Sequence, residues 1–325
     1  MILNSKYVNF MNRHPIPKTY LLSIIFVISI LSYLPSQANS IRFIALGDMP
    51  YRDSDEANFN KLISSINEQK PDFSIFIGDT KSGSSPCTNN YLEKIFKTFN
   101  TFENALIYTP GDNEWTDCHR VSAGSFNPQE RLEFIRQLYF RNDKSLGKQP
   151  ITLIRQADID TRFKQFVENA YWIVGSTLFS TIHVVGSNNN FSQSDEYSLR
   201  NSANLTWLDR IFTIANQRSI KQIVIAMQAD LFYSPQQASS TTSGLADTIR
   251  ALNKHLSRWN KPVLVIHGDS HQLIIDQPFR HSDTKKVIEK AYRLQVMGDY
   301  QIEAIEVTVD DSKQSPFSFR PISIQ

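Results

Sequence analysis

Cysteine is scarce in this chain: two in 325 residues, Cys87 and Cys118. Two cysteines cannot build a disulfide-dense scaffold; they leave one possible bridge. An excess of either charge is also missing, with 34 Lys and Arg against 32 Asp and Glu. Lys6, Arg13 and Lys18 fall in the first forty residues, which hold no acid. The remainder is close to neutral, about −1. Nothing global therefore points to nucleic acid or an acidic membrane surface. No basic, aromatic-rich segment supports a nuclease. There is no fixed-period repeat and no low-complexity stretch. What is present, 41% hydrophobic and 20% charged residues, suffices for one large domain or two small ones and excludes global disorder.

The N-terminus reads as an export leader. Arg13, His14 and Lys18 precede the apolar run LLSIIFVISILSYL, Leu21 to Leu34, and then PSQANS, where Ser36 and Ala38 satisfy the small-residue cleavage rule. The run is short of the ~20 residues that cross a bilayer. The expectation is a signal peptide over residues 1–38, an exported domain over residues 41–325, and a periplasmic or secreted protein. The alternative is an N-terminal membrane anchor. In an exported protein the two cysteines are expected to pair, the alternative being two unpaired buried thiols. The bridge would close a loop of about 30 residues, worth roughly 3–4 kcal/mol.

From Ile41 onward, apolar strand-like runs alternate with helical patterns. IRFIAL is followed by Phe59, Leu62, Ile63 and Ile66, whose spacing predicts a helix over 57–67. FSIFI, a helical stretch over 91–99 and ALIYT come next. AYWIVG and TIHVVG read as a strand pair. Leu205, Leu208, Ile211 and Phe212 predict a helix over 204–215, and KQIVIAM a buried strand. Leu245, Ile249, Leu252 and Leu256 mark a third helix, ending before Pro262, and PVLVIHG is the next strand. The tail, YRLQVMG, IEAIEVTV and FSFRPI, reads as strands alone. The alternation predicts a layered α/β domain, and the tail predicts that part of the sheet is antiparallel. The polar stretch 142–160 reads as an insertion or long loop.

Four apolar runs end in Gly-Asp: IRFIALGD at Asp48, FSIFIGD at Asp79, ALIYTPGD at Asp112 and PVLVIHGD at Asp269. A fifth, IVIAMQAD, ends in Gln228 and Asp230. A single Gly-Asp after a strand is ordinarily a turn or a helix cap. Repetition changes its meaning, because ligands of open α/β sheets bind outside the carboxyl ends of the strands. Carboxylates gathered there repel: two at 4 Å cost about 4 kcal/mol at an effective dielectric of 20. Either some are protonated or a cation sits among them. Oxygen donors suit Mn, Mg or Ca better than Zn, with Fe also admissible, and His271 adds one nitrogen.

The ordered set GDMPY, IGDTKSG, PGDNEW, AMQAD and HGDSH resembles the signature of the calcineurin-like metallophosphoesterases: D-x-H, G-D, G-N-H-[DE], a lone His, then G-H-x-H. The resemblance runs from Ile41 to Val309 and is to a divergent, exported, bacterial-type member. It implies an α/β fold, a four-layer α/β/β/α sandwich with two mixed β-sheets. It implies one or two divalent cations held by Asp48, Asp79, Asp112, Gln228, Asp269 and His271, with Asp79 shared. Pro50 stands where the first His belongs and supplies no donor. Asp112 replaces the Asn ligand, Asn113 the neighbouring catalytic His, Gln228 the lone His, and Asp269 the first His of the last motif. Three of the four ligand replacements keep a donor atom, now oxygen, which moves the site toward harder metals.

The implied function is hydrolysis of a phosphate monoester or diester by metal-activated water, with Asp79 and Asn113 as catalytic residues. The expected partner is a phosphorylated small molecule, with no nucleic acid, no stable membrane partner and no implied oligomeric state. Asn113 can donate a hydrogen bond to a phosphoryl oxygen but delivers no proton, so a slow enzyme, or one limited to good leaving groups, is expected. His119, Arg120 and His267 are the nearest candidates for a general acid, each read first as structural or surface. Glu114 is expected to orient its loop and Trp115 to pack it or line the pocket. VVGSNNNF, Val184 to Phe191, either borders the substrate site or is a hairpin turn, and Asp299 is a turn residue. Arg42, Arg200 and Arg293 are equal candidates to meet a phosphate. The alternative function is a non-catalytic module that binds a structural ion such as Ca and presents loops to a ligand or partner.

Overall fold

Three parallel strands near the start of the domain bring the first three Gly-Asp pairs to one edge, and the rest of the fold is assembled around them. The computed structural model describes residues 40–324 apart from 235 and 238, so the leader expected over residues 1–38 lies outside the described residues. In chain order, β1 (Ile41–Leu46), α1 (Glu56–Gln69), β2 (Phe73–Phe76), α2 (Asn89–Phe99), β3 (Ala105–Tyr108) and α3 (Pro128–Tyr139) come first. Then follow β4 (Ile154–Arg155), β5 (Ala170–Val174), β6 (Thr177–Thr181), α4 (Ser194–Gln217), β7 (Gln222–Ala226), α5 (Ala246–Trp259) and β8 (Val263–His267). The chain closes with β9 (Ile274–Asp276), β10 (Ala291–Gln295), β11 (Ala304–Val309) and β12 (Phe317–Ile322).

Two mixed sheets result. One has the order β12-β11-β1-β2-β3 and the other β4-β5-β6-β7-β8-β10-β9. β1, β2 and β3 run parallel, while β11 returns antiparallel to β1 with Phe43 opposite Val307. Successive side chains of a strand face opposite ways, and here each face has its own neighbours. Phe43 and Ala45 join Trp172, Phe179, Val224 and Leu264 between the sheets. Ile44 and Leu46 meet Phe59, Leu62 and Leu92 of α1 and α2. On the far side, Ile223 and Ile225 meet Trp207, Leu208 and Ile249 of α4 and α5. The layers are thus helix, sheet, sheet, helix, the expected four-layer sandwich. Strands covered on both faces need apolar residues throughout, which is why IRFIAL and VLVIH carry no polar alternation.

Some local expectations need correction. TIHVVG is not the partner of AYWIV: that partner is Thr177–Thr181, reached through Gly175 and Ser176. Residues 182–185 leave the ladder, and the Val184 carbonyl accepts the Gln228 and Ala229 amides beside the site. α4 begins ten residues before its apolar stripe. Its first turns instead bury Arg200, which donates to Glu196, to Asn189 and to the His183 carbonyl. α3 is an addition to the expected helices, although Asn127 caps it by accepting the Gln129 and Glu130 amides and Pro128 opens it. Segment 142–160 is mostly loop, fastened by bridges Leu106–Leu146 and Lys144–Thr152. Cys87 and Cys118 are disulfide-bonded, with Cα atoms 5.7 Å apart. Among the described residues no helix is long and apolar enough to cross a membrane.

Candidate metal centre

The strand ends are tied to one another before any side chain is considered. The Asp48 amide donates to the Gly78 carbonyl at 3.0 Å, the Gly268 amide to the Gln228 carbonyl at 3.0 Å, and the Asp299 amide to the Asp48 carbonyl at 2.8 Å. At these ends the backbone turns left-handed without glycine: φ is 54° at Asp48, 56° at Asp79, 72° at Asp269 and 57° at His271. Such conformations cost on the order of 1 kcal/mol or more each, and they cluster at functional sites. The preceding glycines are required by space. A Cβ on Gly268 would fall 1.9 Å from Asp48 Oδ2, and one on Gly111 2.0 Å from Asp79 Oδ1.

The structure brings Asp48, Asp79, Asp112, Asp269, Gln228, His271 and Asn113 into one neighbourhood. Among the described residues, one group of three metal-type side chains has ligand atoms all within 4.8 Å of one another: Asp79, Asp112 and Asp269. Asp79 Oδ1 accepts the Asn113 backbone amide at 3.1 Å, and Oδ2 accepts Asn113 Nδ2 at 2.8 Å and Gln228 Nε2 at 3.1 Å. Asp269 Oδ1 accepts Gln228 Nε2 at 3.3 Å, and Oδ2 accepts the Asp230 amide at 3.3 Å. Gln228 therefore turns its amide nitrogen to the acids, while its oxygen accepts the Gly186 amide. Asp48 accepts the Asp269 amide on both oxygens, at 3.1 and 3.2 Å. His271 Nε2 lies 3.7 Å from Asp48 Oδ1.

Asp112 is the exception. Its Oδ2 accepts Ser187 Oγ at 2.7 Å, but its Oδ1 is buried without a partner. A Cβ on Gly186 would lie 2.6 Å from both Asp112 Oδ1 and Asp269 Oδ1, so these two oxygens lie close together against the Gly186 backbone. Divalent cations bind oxygens at about 2.0–2.6 Å, which lets a single ion bridge donors about 4–5 Å apart. The spacing and the donor chemistry fit such an ion.

Electrostatics agree with the geometry. Burial, then Asp269 and Asp117, push the Asp112 carboxyl up to about 8. Burial, then the neighbouring carboxylates, hold Asp48 and Asp79 well above the usual range, and burial raises Asp269 too. Without a cation, ionising these acids is disfavoured relative to free carboxyls.

The surrounding residues hold the loops. Glu114, fully buried, accepts the Thr80 amide at 2.7 Å and the Tyr108 hydroxyl at 3.3 Å, pinning the loop after β3 to the loop after β2. The buried Lys81 ammonium donates to the Asn113 carbonyl at 2.7 Å. Trp115 packs against His183 with ring centroids 5.5 Å apart and lies under Arg200. Three participants go beyond the residues expected from sequence. Tyr51 reaches Asp79, Asp48 and His271. Ser187 bridges Asp112 and Asp117, at 2.7 and 2.9 Å. Gly186 lies against Asp112 Oδ1 and Asp269 Oδ1. Ser187 belongs to VVGSNNNF, which borders the acids through a run of left-handed residues from Ser187 to Asn190.

Other candidates lie elsewhere. His119 is exposed and bonds to the Thr116 carbonyl, and Arg120 pairs with Asp117. His267 is fully buried, and burial pushes it down to about 4, so it carries no proton to give at neutral pH. Arg42 pairs with Glu306 and Arg200 with Glu196. Arg293 alone of the three arginines lines the cleft of about 740 Å³ beside Asp269, where it pairs with Asp276 at 2.6 Å. Asp299, at a left-handed turn, accepts Arg52 at 2.7 Å.

No family model and no curated protein matches the sequence. Solved structures do match. GAP50, the anchor in the inner membrane complex of Plasmodium, superposes with a TM-score of 0.51 at 13% identity, over 88% of this chain and 89% of that one. PhoD gives 0.51 at 13% identity, over 87% and 68%. A dimetal phosphatase from Danio rerio gives 0.50 at 11% identity, over 88% and 99%. At such identity the likeness concerns the fold: this chain has the calcineurin-like metallophosphoesterase fold.

Proposed function

We propose that the protein is a divalent-metal-dependent phosphoesterase acting on a phosphorylated small molecule outside the cytoplasm, after removal of the leader at residues 1–38. The observation that carries the reading is the trio Asp79, Asp112 and Asp269 at strand ends, the first two buried and the third half-buried, with Asp112 Oδ1 unpartnered. Asp48, Gln228 and His271 adjoin it. The fold supports the reaction class, and the disulfide supports export.

A divalent ion bound there lowers the pKa of water and offsets charge on phosphoryl oxygens. The chain supplies position. Asn113 fixes Asp79 through two hydrogen bonds, and Ser187 fixes one oxygen of Asp112. The cleft beside them is lined by Ser187, Asn188, Ser270, Arg293 and Phe232, which offer hydrogen-bond donors and one aromatic wall to an ester. Where the fold family has a proton-carrying histidine, Asn113 has an amide that can hydrogen-bond but delivers no proton. Substrates whose leaving group departs as a stable anion are therefore favoured.

Purified protein with Mn or Mg is expected to hydrolyse an aryl phosphate or aryl phosphodiester, and Asp79→Asn to abolish this. Absence of turnover with every metal, together with tight Ca binding, would instead establish the non-catalytic module, a reading favoured by Pro50 and Asn113 standing at histidine positions.

A further inference from the structure

The two halves of the centre are built differently. On one side Asp79, Asp112 and Asp269 bring ligand atoms within 4.8 Å of one another, and Asp112 Oδ1 has no partner. On the other, Asp48, Asp79 and His271 converge on a phenol. The Tyr51 hydroxyl oxygen lies 3.0 Å from His271 Nε2, 3.2 Å from Asp79 Oδ2 and 3.5 Å from Asp48 Oδ1. It also accepts Asn113 Nδ2 at 3.3 Å. The Tyr51 side chain is buried, with its ring edge-on to His271 at 5.2 Å between centroids.

We infer that the centre takes a single divalent cation, among Asp79, Asp112 and Asp269, and that the Tyr51 hydroxyl fills the position a second cation would need. The inference rests on the metal-dependent reading of the site and deepens it. A cation binds where donor atoms converge and one of them is left without a partner; Asp112 Oδ1 is that atom, while Asp79 and Asp269 also accept Gln228 Nε2. In the Tyr51 half the donors instead converge on an oxygen at hydrogen-bond distance from two carboxylates and an imidazole. A hydroxyl can donate to one of them and accept from Asn113. Asp48 is further occupied by the Asp269 amide on both of its oxygens. Pro50 offers no donor, and Tyr51 follows it directly. The loss of one ligand and the filling of its space therefore belong to adjacent residues.

The test is metal stoichiometry, read by equilibrium dialysis of the purified protein against excess Mn(II) with elemental analysis. Electron paramagnetic resonance reports whether bound Mn(II) is isolated or spin-coupled. The expected result is one isolated Mn(II) per chain, lost in Asp112→Asn and kept in Asp48→Asn. Pro50→His combined with Tyr51→Gly, which restores a histidine and clears the phenol, is expected to raise the ratio to two and produce coupling. Two ions per chain in the wild type overturn the inference and leave the phosphoesterase reading standing. One ion that is lost in Asp48→Asn but kept in Asp112→Asn overturns it by placing the cation in the other half. A ratio that stays at one in the double variant overturns the role given to Tyr51. Zero ions in the wild type, with no turnover, overturns both readings.

Discussion

Stripping divalent cations and raising the pH sets the buried carboxylates against one another with no counter-charge. Asp112 gives the magnitude, its pKa moved by burial, then by Asp269 and Asp117, from 3.8 to about 8. Asp48, Asp79 and Asp269 move the same way. The folded-state value thus lies above the unfolded one. Below about pH 4 both states are protonated and the stability is intact. Above it the unfolded chain ionises first, and stability falls until folded Asp112 also ionises near pH 8. One pKa unit corresponds to about 1.4 kcal/mol, so Asp112 alone removes on the order of 4 kcal/mol between about pH 5 and 8. At about 2 °C per kcal/mol for a large domain, the melting temperature in chelator should drop by roughly 8 °C over that range. Thermal unfolding monitored by circular dichroism measures it. Excess Mg or Mn should remove most of the drop, and Asp112→Asn should lessen it in chelator, leaving the part that Asp48, Asp79 and Asp269 contribute. A melting temperature that holds or rises with pH in chelator would refute the argument, since acids packed as these are must lose stability on ionising.

Other expectations follow from single contacts. Gly186→Ala places a methyl 2.6 Å from Asp112 Oδ1 and Asp269 Oδ1; cation affinity measured by calorimetry should fall about 10–100-fold. Replacing both Cys87 and Cys118 by Ser opens a bridge of sequence separation 31, and urea unfolding should show a loss of roughly 3–4 kcal/mol. Asn113→His is expected to narrow the rate gap between aryl and alkyl phosphates, by about tenfold or more if the imidazole acts as general acid. An unchanged leaving-group dependence would place the proton source elsewhere.

The parts of the fold legible in sequence are those where one physical requirement dominates. IRFIAL, FSIFI and PVLVIHG are doubly covered strands, and burial on both faces makes them apolar throughout. The Gly-Asp endings are legible because an acid at a strand end is costly unless it has a partner or a turn to make. Harder to read are places where polar residues point inward. The first turns of α4 bury Arg200 against Glu196 and Asn189, so no apolar period marks the helix start. Tyr51 escapes a motif reading, which looks for a ligand at position 50 of GDMPY, while the next side chain reaches the acids. Ser187 opens a left-handed backbone run, just after Gly186, that no periodicity announces. That Glu114 orients its loop is readable from the motif, but its partners, Thr80 and Tyr108, depend on strands pairing in three dimensions.

The departures from the fold family's histidines form one connected set. Pro50 removes a donor, and the adjacent Tyr51 hydroxyl occupies the neighbouring space. Asn113 removes an imidazole, and its amide donates to both Tyr51 Oη and Asp79 Oδ2. Gln228 donates to Asp79 and Asp269 while its oxygen takes the Gly186 amide. A site losing function by drift would be expected to leave several of its buried polar atoms stranded, each costing about 1–3 kcal/mol. Here Asp48, Asp79 and Asp269 are all engaged. Among the oxygens of the four strand-end acids, the stranded one is Asp112 Oδ1, and Asp112 belongs to the trio whose ligand atoms lie within 4.8 Å of one another. Around them Thr80 Oγ1, Glu114 Oε2, Trp115 Nε1 and His267 Nε2 are also buried without partners, so it is the engagement of the acids themselves by Tyr51, Asn113 and Gln228 that argues for a centre remodelled around an ion over one that has been abandoned.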